Sequence, residues 1–342
     1  MYSVYQHWDP LRVCVVGRSY PPEFYDWITI PHVRKLFEKI AIETEEDYQK
    51  IIKKLESFGV QVLRPTVFPE STHPSHYLAA DDSSYIAPPM TPRDNCVMIG
   101  NTFFENFNKN PGWLCGYEHI VEHVRTQGNV IKKHYNQDVI AGSMVSRLGR
   151  DLYFGTESYQ QDHSDLQYTI DAEFRNTRNH IVNTGGHSDG TFCPVCPGLI
   201  VSLRDVPTYK NTFPDWEVVY LPNQSWKKVS PFLDLKQKNK GKWWIPGFEH
   251  DQDVINCVEQ WLGNWVGYVE ETVFDVNMLI IDPKNVIVFN YNKQVFDALE
   301  RYGITPHIVP FRHRYFWDGG IHCVTADLHR EGTMQDYFPQ RG

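Results

Sequence analysis

Five short stretches of this chain carry residue types able to do covalent or metal chemistry. EHIVEH at 118–123 sets His119 and His123 on one helix face beside Glu122, which suits zinc. An amphipathic helix with Ile120, Val121 and Val124 inward explains it as well and is preferred. CPVC at 193–196 has the spacing of a zinc or redox pair, but with no second CxxC and with Pro194 and Pro197 flanking it, a structural turn holding buried thiols is preferred. GGHSDGTF at 185–192 places His187 and Asp189 two residues apart, on one side of an extended segment, beside glycines that allow close approach. Asp94, in PRDNCVMIG, stands at the entrance to a predicted strand, where an acid in a turn is equally ordinary. WDGGIHCV at 317–324 crowds Cys323 with two glycines and a histidine.

The last three gain meaning together. A reactive cysteine needs access and groups that favour thiolate, and a histidine with a nearby carboxylate supplies proton transfer. Two separated aspartates suit a planar cation. A guanidinium offers a fork of N–H donors to carboxylates, and its central carbon is an electrophile for sulfur. Gly319 and Gly320 are read as leaving room beside the sulfur for that flat group, and His322 as structural or a pocket wall.

Elements must position these groups. Short apolar runs closed by a small residue recur as VCVVGRS (13–19), CVMIGNT (96–102), DLYFGTE (151–157), GLIVS (198–202) and NMLIID (277–282), each predicted to be a buried strand. The clearest helix is predicted over 44–58, with Thr44 and Asp47 as a capping box and Tyr48, Ile51, Ile52 and Leu55 as its apolar stripe. LESFGVQVLRP (55–65) and LERYGITPHIVP (299–310) form an internal repeat in which Gly59 and Gly303 stop a helix and turn into a strand. With no linker separating halves, one domain over 1–342 of repeated strand–helix units is expected, with a surface insertion at 213–250. The net charge of −9 argues against a nucleic-acid partner, because phosphate-backbone binders concentrate positive charge. Neither a leader nor an apolar run long enough for a membrane is visible, so a cytoplasmic chain is expected. Seven cysteines are too few and too odd in number for a disulfide framework, and free thiols are expected.

In this order, WDPLRVCVVGR (8–18), TPRDNCVMIGN (91–101), GRDLYF (149–154), GGHSDGTF and GGIHCVTADLHREG (319–332) resemble the amidinotransferases among the guanidino-group modifying enzymes, over nearly the whole chain. The resemblance implies an α/β fold, the five-bladed α/β propeller (pentein) of ββαβ-type units, with its site on the central axis. It implies Cys323 as nucleophile, His187 as general acid/base, and Asp94 and Asp189 as the carboxylates that hold guanidinium. The implied reaction moves the amidino group of L-arginine through a covalent amidino-cysteine to a small amine such as glycine, giving ornithine and guanidinoacetate or another guanidino compound. No cofactor or metal is implied. The expected partners are small-molecule substrates, without nucleic acid or membrane, and a homodimer is allowed.

The chain departs from the family pattern at several points. AGSMVS (141–146) lacks the acid that orients the histidine, leaving Asp138 as the substitute. Arg204 is the candidate for the substrate carboxylate, standing two residues before the expected place, which is Val206. A serine pair becomes Glu270 and Glu271, and Glu271 is taken as substrate-binding toward a cationic end, which admits a diamine acceptor. Asp318 replaces a third glycine. Three alternatives stand beside transfer: a guanidino hydrolase of the arginine deiminase or dimethylarginine hydrolase type, a zinc metallopeptidase on His119, Glu122 and His123, and an inactive relative acting as a binding module.

Overall fold

The computed structural model describes residues 1–67, 84–105, 111–133, 140–156, 163–203, 209–221, 243–263, 265, 271–317 and 319–342, without the side chains of 111–115, 210 and 271–273. Its strands form five three-stranded mixed sheets. In the second, β3 (Cys96–Ile99) pairs antiparallel with β4 (Thr102–Glu105), and helix Pro111–Thr126 then carries the chain to β5 (Val130–Lys133), parallel to β4. The pattern recurs as β6 (Val145–Leu148), β7 (Asp151–Thr156) and β8 (Arg178–Asn183). It recurs again as β9 (Phe192–Cys196), β10 (Leu199–Ser202) and β11 (Glu217–Tyr220). The next unit is β12 (Leu279–Asp282), β13 (Asn285–Val288) and β14 (Thr305–Ile308). The remaining sheet joins the two ends of the sequence: β15 (Thr325–Arg330) pairs antiparallel with β1 (Leu11–Val16), and β1 pairs parallel with β2 (Gln61–Leu63). This is the pentein architecture. A parallel return needs a crossover, which explains a helix between the second and third strands of each unit.

Each of the five predicted apolar strands falls in a different sheet. The repeated Leu-Glu-x-aromatic-Gly marks one position in two blades: Gly59 (φ +76°) and Gly303 (φ +70°) end the crossover helices that lead into β2 and β14. Only glycine takes that left-handed conformation without steric cost.

One local expectation is corrected. Helix α1 runs Pro31–Glu56, so Thr44 and Asp47 lie inside it and cap nothing. Pro31 at the first helical position makes the start instead. Thr44 Oγ1 accepts a bond from Trp317 Nε1 (2.9 Å), and Asp47 Oδ2 accepts from the Arg312 backbone N–H (2.7 Å). Both thus tie α1 to the segment that leads to Cys323. The stripe Tyr48, Ile51, Ile52 and Leu55 is buried as expected. At the described ends of 213–250, Phe213, Trp243, Trp244 and Ile245 are buried, Asp215, Glu217, Tyr220, Pro246, Gly247 and His250 are exposed, and β11 belongs to the fourth sheet. Trp226 and KQKNKGK at 236–242 lie outside the described residues.

Candidate active site

The strands β15, β3, β6, β9 and β12 hold equivalent places, each antiparallel to the middle strand of its sheet. Side chains from four of them (Arg330, Ser146, Phe192 and Ile280) line one small buried cavity, so these strands surround a common axis. The candidate site is built from residues just ahead of those strands. Cys323 precedes β15, Asp94 lies in the short helix Pro92–Asn95 before β3, Asp189 in the turn before β9, and Asn277 before β12. Ser143, ahead of β6, accepts the Asp189 backbone N–H (3.2 Å). Five blades therefore present five short segments to one place.

Asn277 is the group that sequence reasoning missed. Its Oδ1 accepts the backbone N–H groups of His322 (2.8 Å) and Cys323 (3.1 Å), which fixes the amide orientation. The Nδ2 group then donates to Cys323 Sγ (3.0 Å) and to the Asp189 carbonyl (3.1 Å). The opening beside the sulfur expected at Gly320 is occupied by this amide: a Cβ there would lie 2.3 Å from Asn277 Oδ1. Glycine at 320 seats Asn277, whereas a Cβ on Gly319 would meet Val324 Cγ1 at 3.3 Å. Asn277 heads the NMLIID run, so its signal was a polar residue immediately ahead of an apolar strand.

On its other side the Cys323 thiol donates to Asp189 Oδ2 (3.4 Å). Burial, then the charges of Asp189 and Asp94, push the thiol well above its ordinary value of 9.0. The expectation of an extended segment at 187–189 is corrected: Ser188–Gly190 form a 3-10 turn, with Asp189 buried and His187 exposed. His187 Nδ1 lies 3.6 Å from Asp94 Oδ1, which brings these two together. Asp189 faces His322, whose Nδ1 is 2.9 Å from Asp189 Oδ2. Burial alone would raise the Asp189 carboxyl, but the His322 hydrogen bond and the His322, His187 and Arg93 charges hold it below the usual carboxylate range. Within the site, Asp94 Oδ1 and Asp189 Oδ1 are buried carboxylate oxygens with no hydrogen-bond donor among the described residues. Such atoms call for donors, and a guanidinium carries five N–H groups with positive charge.

Behind the nucleophile segment lies a charged cluster. Asp327 accepts from Arg93 (2.6 Å), Arg147 (2.8 and 2.9 Å) and Arg330 (2.6 Å), and none of the four side chains is more than 1% exposed. Arg93 Nε also donates to the carbonyls of His322 (3.2 Å) and Thr325 (2.9 Å), holding the main chain on both sides of Cys323.

Asp138, Arg204, Glu270 and Asp318 lie outside the described residues. Glu271 opens the helix Glu271–Val276, and its side chain is likewise outside them. His119 Nε2 bonds the Arg64 carbonyl (2.8 Å), His123 Nε2 the Tyr2 hydroxyl (2.9 Å), and Glu122 pairs with Arg125. Ile120, Val121 and Val124 are buried, as the amphipathic-helix reading requires. CPVC is corrected from a turn to part of edge strand β9, where proline is tolerated. Burial pushes Cys193 up to about 12 and Cys196 up to about 11. Every cysteine whose side chain is described is a free thiol.

No family model matches the chain. Curated proteins do. Mitochondrial glycine amidinotransferase of Xenopus laevis is 24% identical over 98% of this chain and 84% of its own length. Inosamine-phosphate amidinotransferase 1 of Streptomyces glaucescens is 21% identical over 98% of both. Among solved structures, an amidinotransferase of saxitoxin biosynthesis from Microseira wollei superposes with a TM-score of 0.67 at 20% identity, over 98% of this chain and 99% of that one. The inosamine-phosphate amidinotransferase of Streptomyces griseus gives 0.68 at 17% identity over the same shares. A dimethylarginine dimethylaminohydrolase from Pseudomonas aeruginosa gives 0.55 at 11%, over 93% of this chain and 99% of that one. The chain has the pentein fold. The curated proteins and solved structures that it resembles over 98% of its length include amidinotransferases.

Proposed function

We propose that the protein transfers the amidino group of L-arginine to a small amine through a covalent adduct on Cys323. The observation that carries this reading is a pair of buried carboxylate oxygens, Asp94 Oδ1 and Asp189 Oδ1, that have no hydrogen-bond donor among the described residues and lie in the site that holds the Asn277-bound thiol. A bound guanidinium satisfies both oxygens. Its charge also offsets the repulsion that keeps the thiol protonated, so the substrate itself promotes thiolate formation. The thiol proton passes to His187, and sulfur adds to the guanidino carbon. His187 then returns a proton to the departing ornithine nitrogen as the C–N bond breaks. In the second half an acceptor amine adds to the amidino carbon, gives its proton to His187, and the C–S bond breaks. Arg204 and Glu271 are proposed for the carboxylate and the cationic end of the substrates, and Asp138 as a further partner of His187. Glycine and a diamine are the two acceptors this charge pattern admits.

The test is arginine labelled at the guanidino carbon, incubated with and without glycine or a diamine, with Cys323→Ala as control. Acceptor-dependent label in a new guanidino compound, with ornithine released, supports transfer. Label in citrulline or urea regardless of acceptor overturns it in favour of hydrolysis.

A further inference from the structure

His322 takes no part in the reaction just proposed, yet it is buried against the carboxylate that faces the nucleophile. Asp189 is an ionised acceptor, so the imidazole proton lies on Nδ1, which donates across 2.9 Å to Asp189 Oδ2. That same oxygen accepts the Cys323 thiol, so one atom couples the two neighbouring side chains. Behind His322 lies a cavity of about 20 Å³ lined by His7, Ser146, Asp189, His322 and Arg330, room for a single water. The His7 ring is 5.8 Å from the His322 ring, and His7 Nε2 accepts the Arg147 backbone N–H (3.1 Å), so the proton of neutral His7 is on Nδ1. The walls of this cavity thus offer both donors and acceptors.

We propose that His322 is a positioning residue that holds the Asp189 carboxylate oriented against Cys323, with a water in the axial cavity serving the outer ring nitrogen of His322. The proposal rests on the arginine-site reading for its consequence in turnover but not for its geometry. Among the described residues, Cys323 feels Asp189 and Asp94; Asp189 feels His322, His187 and Arg93; and His322 feels Arg93, Asp189, Asp327 and His7. Burial and the Arg93 charge push His322 down to about 4, so it stays neutral and keeps donating throughout the physiological range. Without that donor, Asp189 Oδ2 loses the contact that fixes it against the sulfur. A displaced carboxylate repels thiolate less and binds a guanidinium less well, so thiol reactivity rises while arginine affinity falls.

The experiment measures the pH dependence of iodoacetamide alkylation at Cys323, read by mass spectrometry, and its protection by arginine. Wild type, His322→Ala and His322→Asn are compared, the amide of Asn placing a donor near the position of Nδ1. In His322→Ala, alkylation at pH 8 is expected to rise about tenfold while the arginine needed for half-protection also rises about tenfold, with the Asn variant restoring both. An unchanged alkylation profile and unchanged protection in the Ala variant would overturn the proposal. So would a failure of Asn to restore either in a variant as stable as wild type. Should the Ala variant not fold, ¹⁵N spectra of wild type decide: a neutral Nδ1–H tautomer for His322 above pH 5 supports the proposal, and an Nε2–H tautomer refutes it. Alkylation and tautomer need no turnover. A protein that protects Cys323 with arginine yet transfers nothing would overturn the transferase reading alone.

Discussion

The Cys323 sulfur sits between a donor, the Asn277 amide at 3.0 Å, and an acceptor, Asp189 Oδ2 at 3.4 Å. The donor stabilises thiolate and the acceptor stabilises thiol, and burial with the nearby carboxylates tips the balance toward the protonated form, which the proposed guanidinium substrate would reverse. Asn277→Ala removes a hydrogen bond to a group that becomes charged, worth about 1.5–3 kcal/mol, so kcat/KM for arginine is expected to fall roughly 10- to 150-fold. Steady-state kinetics check this. Asp94→Asn acts in the reverse sense on the free thiol, because the Asp94 charge helps to hold it up. Its alkylation rate at pH 8 is expected to increase while arginine binding weakens by about tenfold or more. Slower alkylation with intact binding would show that Asp94 does not face the sulfur electrostatically.

At the scale of elements, the site depends on turns that bring main chain and side chain into close contact. A Cβ at Gly320 would lie 2.5 Å from both Cβ and Cγ of Asn277, the base of a side chain held by four hydrogen bonds. Gly320→Ala is therefore expected to cost as much activity as Asn277→Ala, roughly tenfold or more, whereas Gly319→Ala costs a few-fold at most. Kinetic comparison of the two variants tests whether the second glycine exists for Asn277. The helix stops at Gly59 and Gly303 were legible because a left-handed cap has a chemical signature in sequence. The start of α1 at Pro31 was hidden by the capping-box pattern at Thr44 and Asp47, whose side chains serve tertiary contacts instead.

Across the whole molecule, the sheet made from both ends of the sequence carries β15, and with it Asp327 among three buried arginines. Burial would raise the Asp327 carboxyl, but Arg147, Arg93 and Arg330 hold it well below its ordinary value of 3.8. A depressed folded-state value contributes stability above the unfolded value near 3.9, and that contribution is lost as pH falls through the folded value. Asp327→Asn is expected to destabilise the protein by about 3–5 kcal/mol at neutral pH, because three buried guanidiniums lose their shared counter-ion. The variant should also lose less stability than wild type as pH falls below about 4. Urea unfolding as a function of pH reads both effects. Among the described residues no helix is long and apolar enough to cross a membrane.

Local chemistry in the sequence was sufficient for part of the element pattern and for naming the charged candidates of the site. Apolar runs closed by small residues marked one strand in each sheet, glycine caps marked two equivalent helix ends, and the histidine and aspartates near Cys323 declared themselves by residue type. The pairings among them were not local. His187 meets Asp94 and Asp189 meets His322 because five turns, far apart in sequence, converge where five equivalent strands surround an axis. Asn277 is an ordinary polar residue ahead of a strand until that convergence places its amide against the sulfur. Spacing along one segment decides which residues share a turn. Which donor faces which acceptor depends on how the blades close around the axis, and only the tertiary structure decided that.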